Sequence, residues 1–144
     1  MKIAFRVLSQ RAQKPKRMSA GAAGYDLFAA LEEKLILRPG QRETVSTGIA
    51  ISLSKGYEAQ IRPRSGLAIK YGLTVLNSPG TIDSDYRGEI KVILINLGQE
   101  DVAIYNGMRI AQMVFSKIEE AEFLKTDVLE DTERNEGGFG HSGE

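Results

Sequence analysis

Short runs of apolar and β-branched residues, separated by turn-forming residues, recur along most of the chain, at 3–8, 25–29, 34–37, 43–46, 49–53, 57–62, 90–95, 102–105, 109–115 and 122–124. A further run occupies 73–76. Such spacing predicts an all-β sandwich or barrel. Ile49, Ile51 and Leu53 alternate with Ala50 and Ser52, the period of a strand with one buried face. Val92, Ile93, Leu94 and Ile95 are apolar on both faces, which predicts a central strand or one at a subunit interface. The stretch from Arg64 to Tyr71 differs: Ser65 reads as an N-cap ahead of helix formers, predicting one short helix.

A chain of 144 residues fits one domain able to bury its own core. Its 19 basic and 19 acidic residues cancel, leaving no phosphate track for a nucleic-acid duplex but room for a small charged ligand. Cysteine is absent and His141 is the single histidine. That removes disulfides, thiolate catalysis, thiolate zinc and histidine metal clusters, so any metal has to be bound through oxygen. Lys2, Arg6, Arg11, Lys14, Lys16 and Arg17 precede the first acid, Asp26, a composition shared with transit peptides. The alternation of Ile3, Phe5 and Val7 with Ala4 and Arg6 favours a first strand instead. No stretch has the length of a membrane span, and the expected location is cytoplasmic. Between 117 and 136 eight acids face three basic residues, and Gly137, Gly138, Gly140 and Gly143 follow. The expected organisation is a β domain over 1–130 and a flexible glycine-rich tail over 131–144.

Chemistry concentrates in five places. Thr81 to Glu89 sets Asp83, Asp85, Tyr86 and Gly88 between the runs at 73–76 and 90–95, a position expected to be a hairpin tip with side chains in fixed register. Asp and Gly suit a turn, whereas a large aromatic between them has no turn-forming purpose. Ala23-Gly24-Tyr25-Asp26-Leu27 places an acid at a strand start. Arg62-Pro63-Arg64-Ser65-Gly66-Leu67 ends a strand in two arginines and a Ser-Gly turn, a general anion-binding arrangement. In Arg109-Ile110-Ala111-Gln112, strict alternation directs Arg109 and Ala111 to one face and Ile110 and Gln112 to the other. Arg134 and Phe139 set one cation and one aromatic among glycines, a pair suited to a phosphate and a stacked base. Neither a P-loop nor a strand-linked G-x-G-x-x-G occurs. With one histidine, near the end of the chain, a Ser-His-Asp relay is not expected.

In order, 23–30, 62–68, 77–96, 107–114 and 134–143 resemble the five motifs of the trimeric dUTPases, the match spanning Met18 to Gly143. The resemblance implies a distorted jelly-roll fold and a homotrimer whose active sites draw on all three subunits, the tail of one chain closing over a site formed by the other two. It implies hydrolysis of dUTP to dUMP and pyrophosphate with Mg²⁺, which limits uracil incorporation into DNA and supplies dUMP for thymidylate synthesis. Asp83 would orient and activate the attacking water and contact the sugar 3′-hydroxyl. Tyr86 would lie against the deoxyribose and exclude a 2′-hydroxyl. Asn77 and the backbone around Thr81 and Ile82 would read uracil, and Lys91 would touch the nucleoside. Arg64, Ser65, Gly66 and Gln112 would take the phosphates, with Arg134 on the γ-phosphate and Phe139, followed by Gly140, on the base. Mg²⁺ would be held by the triphosphate, Asp26 acting through water. The fifth motif departs from the pattern at Asn135 and at His141-Ser142. dCTP deaminases share the fold, but the position of their proton-shuttling glutamate falls on Ile93, which cannot move a proton.

Overall fold

The structure, a computed structural model, describes residues 1–137. Among these the strands are β1 (Ala4–Val7), β2 (Tyr25–Phe28), β3 (Leu35–Leu37), β4 (Arg42–Ser46), β5 (Ile49–Ser52), β6 (Tyr57–Arg62), β7 (Leu73–Val75), β8 (Gly80–Ile82), β9 (Lys91–Asn96), β10 (Val102–Ile104) and β11 (Arg109–Lys117). One helix, α1 (Ser65–Tyr71), stands between β6 and β7. The predicted all-β architecture is present. Hydrogen bonding groups the strands as β2-β11-β6-β8, β4-β9-β7, β1-β5 and β10-β3, without closing them into one continuous barrel. Every sheet contributes to a single apolar cluster, through Leu27, Ile61 and Met113, through Val45, Leu73 and Leu94, through Ile49 and Ile51, and through Leu37 and Ile104.

Strand β9 lies centrally between β4 and β7, with Val92 and Leu94 buried and Ile93 and Ile95 half-buried. Its second face is therefore only partly covered by its own chain. Ala50 is buried along with Ile49 and Ile51, so β5 departs from one-faced alternation. The basic N-terminal stretch does form a strand, β1 pairing with β5 from Ala4↔Ser52 to Val7↔Ile49.

Three local expectations are corrected. The segment 122–124 is not a strand: from Ile118 to Gly137 the chain has no regular element, and Phe123 is 97% exposed. β-Forming residues need a neighbouring edge to pair with, and this segment meets none in its own chain. The runs at 73–76 and 90–95 do pair, Leu73↔Asn96 to Val75↔Leu94, but the chain between them is no simple hairpin tip. It crosses to another sheet and adds β8 to β6, with Gly80 opposite Ile61 and Ile82 opposite Ala59. Finally, the helix cap is Arg64, with φ −96° and ψ 122°, and no side chain caps it. The extended backbone of β6 continues through Arg64, which makes Ser65 the first helical residue.

At its other end α1 stops at Gly72, whose φ is 65° and whose N–H donates to the Ala68 carbonyl. A Cβ there would meet backbone, 2.4 Å from the Gly98 nitrogen and 2.7 Å from its Cα. The adjoining segment at Gly98 is held by Asn96, fully buried, which donates to the Leu37 and Glu100 carbonyls at 2.9 and 2.8 Å and accepts from the Gly98 N–H. Neither partner can retreat cheaply. Gly72→Ala combines left-handed strain with a backbone clash and is expected to cost about 2 kcal/mol or more, read as a lowered urea midpoint with an unchanged slope.

Candidate active site

Strand β2 delivers Asp26 to a cluster built by three elements. Its Oδ2 lies 3.0 Å from Arg109 Nη1 and 3.7 Å from Arg64 Nε. Arg64 in turn donates from Nη1 to the Arg109 carbonyl at 2.9 Å, and Gln112 Nε2 donates to the Pro63 carbonyl at 3.0 Å. One carboxylate facing two guanidiniums leaves the cluster with one net positive charge. Its side chains are 13% (Asp26), 24% (Arg64) and 39% (Arg109) exposed, so this charge is shielded yet reachable. Gly24 makes room for the amide: a Cβ there would stand 2.5 Å from Gln112 Oε1.

The local fold that assembles this cluster overturns the alternation read from Arg109-Ile110-Ala111-Gln112. A β-bulge shifts the register between Arg109 and Ala111, so that Arg109 pairs with Phe28, Ala111 with Leu27 and Gln112 with Asp26. Phe28 and Asp26 are two residues apart and share a face, and Arg109 and Gln112 therefore share it too. Ile110 and Ala111 both turn inward, at 1% and 0% exposure. Gln112 is thus not a polar residue on an apolar face but part of the polar cluster. A bulge absorbs one residue and re-aims those beside it.

The second group follows β8. Asp83 opens a turn closed by the Tyr86 N–H on the Asp83 carbonyl at 3.2 Å, with Ser84 and Asp85 between them. Arg87 Nη1 donates to the Ser84 and Tyr86 carbonyls at 2.7 and 2.8 Å, and Tyr86 Oη donates to the Glu89 carbonyl at 3.0 Å. The far end is anchored by Gly48 N–H on Glu89 Oε1 at 2.9 Å and by Ile90 N–H on the Ile49 carbonyl at 2.8 Å. The exposed Lys91 places its Nζ 3.7 Å from Glu89 Oε2. Asp83 itself lines an open groove of 670 Å³ with Lys55, Tyr57, Glu58, Ser84, Asp85 and Arg87. Among the described residues its carboxylate makes no hydrogen bond or ion pair. Asn77 and Thr81 are exposed, and Ile82 is half-buried.

The two groups do not meet within one chain. Asp83 follows Ile82, the partner of Ala59 near the start of β6, whereas Arg64 follows Arg62 at its end. At about 3.3 Å per residue the separation is roughly 15–20 Å. Ser65 and Gly66 stay with Arg64, exposed at the start of α1. Arg134 is exposed and donates from Nε to the Gly137 carbonyl at 2.6 Å, while Phe139 and Gly140 lie outside the described residues. Sequence reasoning gave no role to Arg109, Arg87 or Glu89. A cation at the first position of the strand that carries Gln112 was the available signal for Arg109; the other two act through backbone carbonyls and side-chain anchoring that no spacing reveals.

A sequence model of the dUTPase family matches residues 10–143. The chain belongs to the dUTPase family. A deoxyuridine 5′-triphosphate nucleotidohydrolase of Thermoanaerobacter sp. (strain X514) is 58% identical over 129 residues, covering 90% of this chain and 87% of that relative. One from Hydrogenobaculum sp. (strain Y04AAS1) is 54% identical over 143 residues, 99% of each chain. Among solved structures, a variant of the Staphylococcus bacteriophage 80alpha dUTPase with dUpNHpp superposes with a TM-score of 0.90 at 28% identity, covering 99% of this chain and 98% of that one. A variant dUTPase from phage phi11 of S. aureus, described with a structural Mg(II) ion, gives 0.81 at 25% identity, covering 89% and 98%. The chain itself is mostly β, with one short helix. Among its described residues no helix is long and apolar enough to cross a membrane.

Proposed function

We propose that this dUTPase hydrolyses dUTP to dUMP and pyrophosphate at a site completed between chains of a homotrimer, acting on the nucleotide pool of the cytoplasm. The observation that carries the reading is the division of the site: a cationic, phosphate-suited cluster at one end of β6 and, at the other, a carboxylate that has no partner among the described residues, beside an aromatic. Arg64 and the N–H groups of Ser65 and Gly66, which have no partner carbonyl within their own helix, bind the phosphates together with Gln112. Asp26 and Arg109 hold the Arg64 guanidinium in place through Oδ2 and the Arg109 carbonyl. From a second chain, Asp83 orients a water in line with the α-phosphorus and accepts its proton, and Tyr86 lies on the sugar. Asn77, Thr81, Ile82 and Lys91 of that same loop region face the nucleoside. Positioning and charge neutralisation supply most of the rate in such phosphoryl chemistry.

Mg²⁺ fits this arrangement as an ion held by the triphosphate. Among the described residues no three His, Cys, Asp or Glu side chains converge to hold a metal. Among the described residues both ion pairs of Asp26 use Oδ2, which leaves Oδ1 to accept from a water. When bound, the ion neutralises phosphate charge. Incubation with dUTP and Mg²⁺, followed by separation of the products, tests the reaction: dUMP and pyrophosphate are expected, and dUDP with inorganic phosphate, or ammonia from dCTP, would refute it.

The tail, 131–144, completes the proposal, with Arg134 on the γ-phosphate and Phe139 and Gly140 over the base. The family match reaches residue 143, which supports a role for this end of the chain. Ending the chain after Asp131 is expected to leave the β core intact and lower kcat/KM for dUTP by about tenfold or more, the scale of a lost charge-assisted phosphate contact and a lost stack. A shortened chain with full kcat/KM would remove the tail from the site.

A further inference from the structure

We propose that Gly88 is a specificity-determining position, its missing side chain setting the orientation of the Tyr86 ring. A Cβ at Gly88 would lie 2.3 Å from Tyr86 Oη, 2.5 Å from Cζ and 2.9 Å from Cε2. The ring occupies the space that any other residue would fill. The usual reason for a glycine in a loop does not apply here. The left-handed glycines among the described residues are Gly40, Gly48, Gly56, Gly72 and Gly107, so the Gly88 backbone suits an L-residue. Nor does the turn need it, since Asp83 to Tyr86 closes through Ser84 and Asp85. What Gly88 permits is the approach of Tyr86 Oη to the Glu89 carbonyl, and Glu89 is immobilised by Gly48 and its neighbour Ile90 by Ile49. The ring is therefore held at its tip by a carbonyl on an anchored segment, in space that the missing Cβ leaves open. With Tyr86 44% exposed, a methyl at 88 swings the ring outward without disturbing the core.

This inference rests on the reading of Tyr86 as the ring that packs on the deoxyribose, and the test separates the two. Values of kcat/KM for dUTP and UTP are measured for the unsubstituted protein, Gly88→Ala, Tyr86→Ala and the double variant. Gly88→Ala is expected to keep its melting temperature within about 2 °C and to reduce the dUTP/UTP ratio about tenfold or more, the scale on which a pocket senses one small group. Because Gly88 acts through the ring, adding Gly88→Ala to Tyr86→Ala is expected to change the ratio no further. An unchanged ratio in Gly88→Ala, with a lowered one in Tyr86→Ala, would overturn the role of Gly88 alone. So would a full additional loss in the double variant. An unchanged ratio in Tyr86→Ala would overturn the sugar-facing reading beneath it.

Discussion

Asp83→Asn is expected to leave the fold and nucleotide binding intact while lowering kcat by at least about 100-fold, the lower end for loss of a general base. The structure makes this substitution unusually clean. Among the described residues the Asp83 carboxylate has no hydrogen-bond or ion-pair partner, and the turn it opens is closed through its main-chain carbonyl. Asparagine keeps the size of the side chain and its ability to position a water through the amide oxygen, but cannot take a proton from that water. Among the described residues no side-chain hydrogen bond or ion pair is removed, so a fall in turnover belongs to the chemistry and not to a damaged loop. Single-turnover measurements with saturating dUTP and Mg²⁺ separate the chemical step from product release. Near-normal turnover would remove Asp83 from the role of base.

Why some of this was legible in the sequence and some was not follows from the range of the interactions involved. The apolar and β-branched runs and the turn residues between them are local, and they place nearly all the strands. The apolar run 92–95 announced a central strand because both its faces are apolar, and β9 is central. Alternation failed at Arg109 to Gln112, where the bulge reverses the faces after Ile110. A bulge is a two-strand property: its partners, Phe28, Leu27 and Asp26, lie on distant β2, and nothing in four residues of β11 records them. The same holds for 122–124, whose composition suits a strand but which finds no edge in its own chain, and for β8, which pairs with β6 instead of completing a hairpin. Asp83, Tyr86, Arg64 and Gln112 stand out as site candidates through the ordered motifs. Their division between two ends of β6, and the pairing of Arg109 with Asp26, required the fold.

That division leads to the most demanding test of the proposed site. Arg64→Met removes the guanidinium while Arg109 still pairs with Asp26 at 3.0 Å, and it is expected to reduce activity by about 100-fold or more through loss of a charge-assisted phosphate contact. Asp83→Asn is expected to lose activity for an independent reason. If Arg64 and Asp83 acted within one chain, every site in a mixture of the two variants would carry one defect or the other. If instead each site takes Arg64 from one chain and Asp83 from its neighbour, a site is whole whenever an Asp83→Asn chain supplies the arginine and an Arg64→Met chain supplies the carboxylate. Random assembly of equal amounts into closed rings makes about one site in four whole. Co-refolding the two variants is therefore expected to restore about a quarter of the unsubstituted activity, whereas mixing them without subunit exchange restores none. The contrast does not depend on the residual rates of the single variants, which stay below about 1%. Activity after co-refolding no greater than the sum of the separate variants, with mixed assemblies verified by mass spectrometry, would show that the roughly 15–20 Å between the two groups along β6 is closed in some way other than by a second chain.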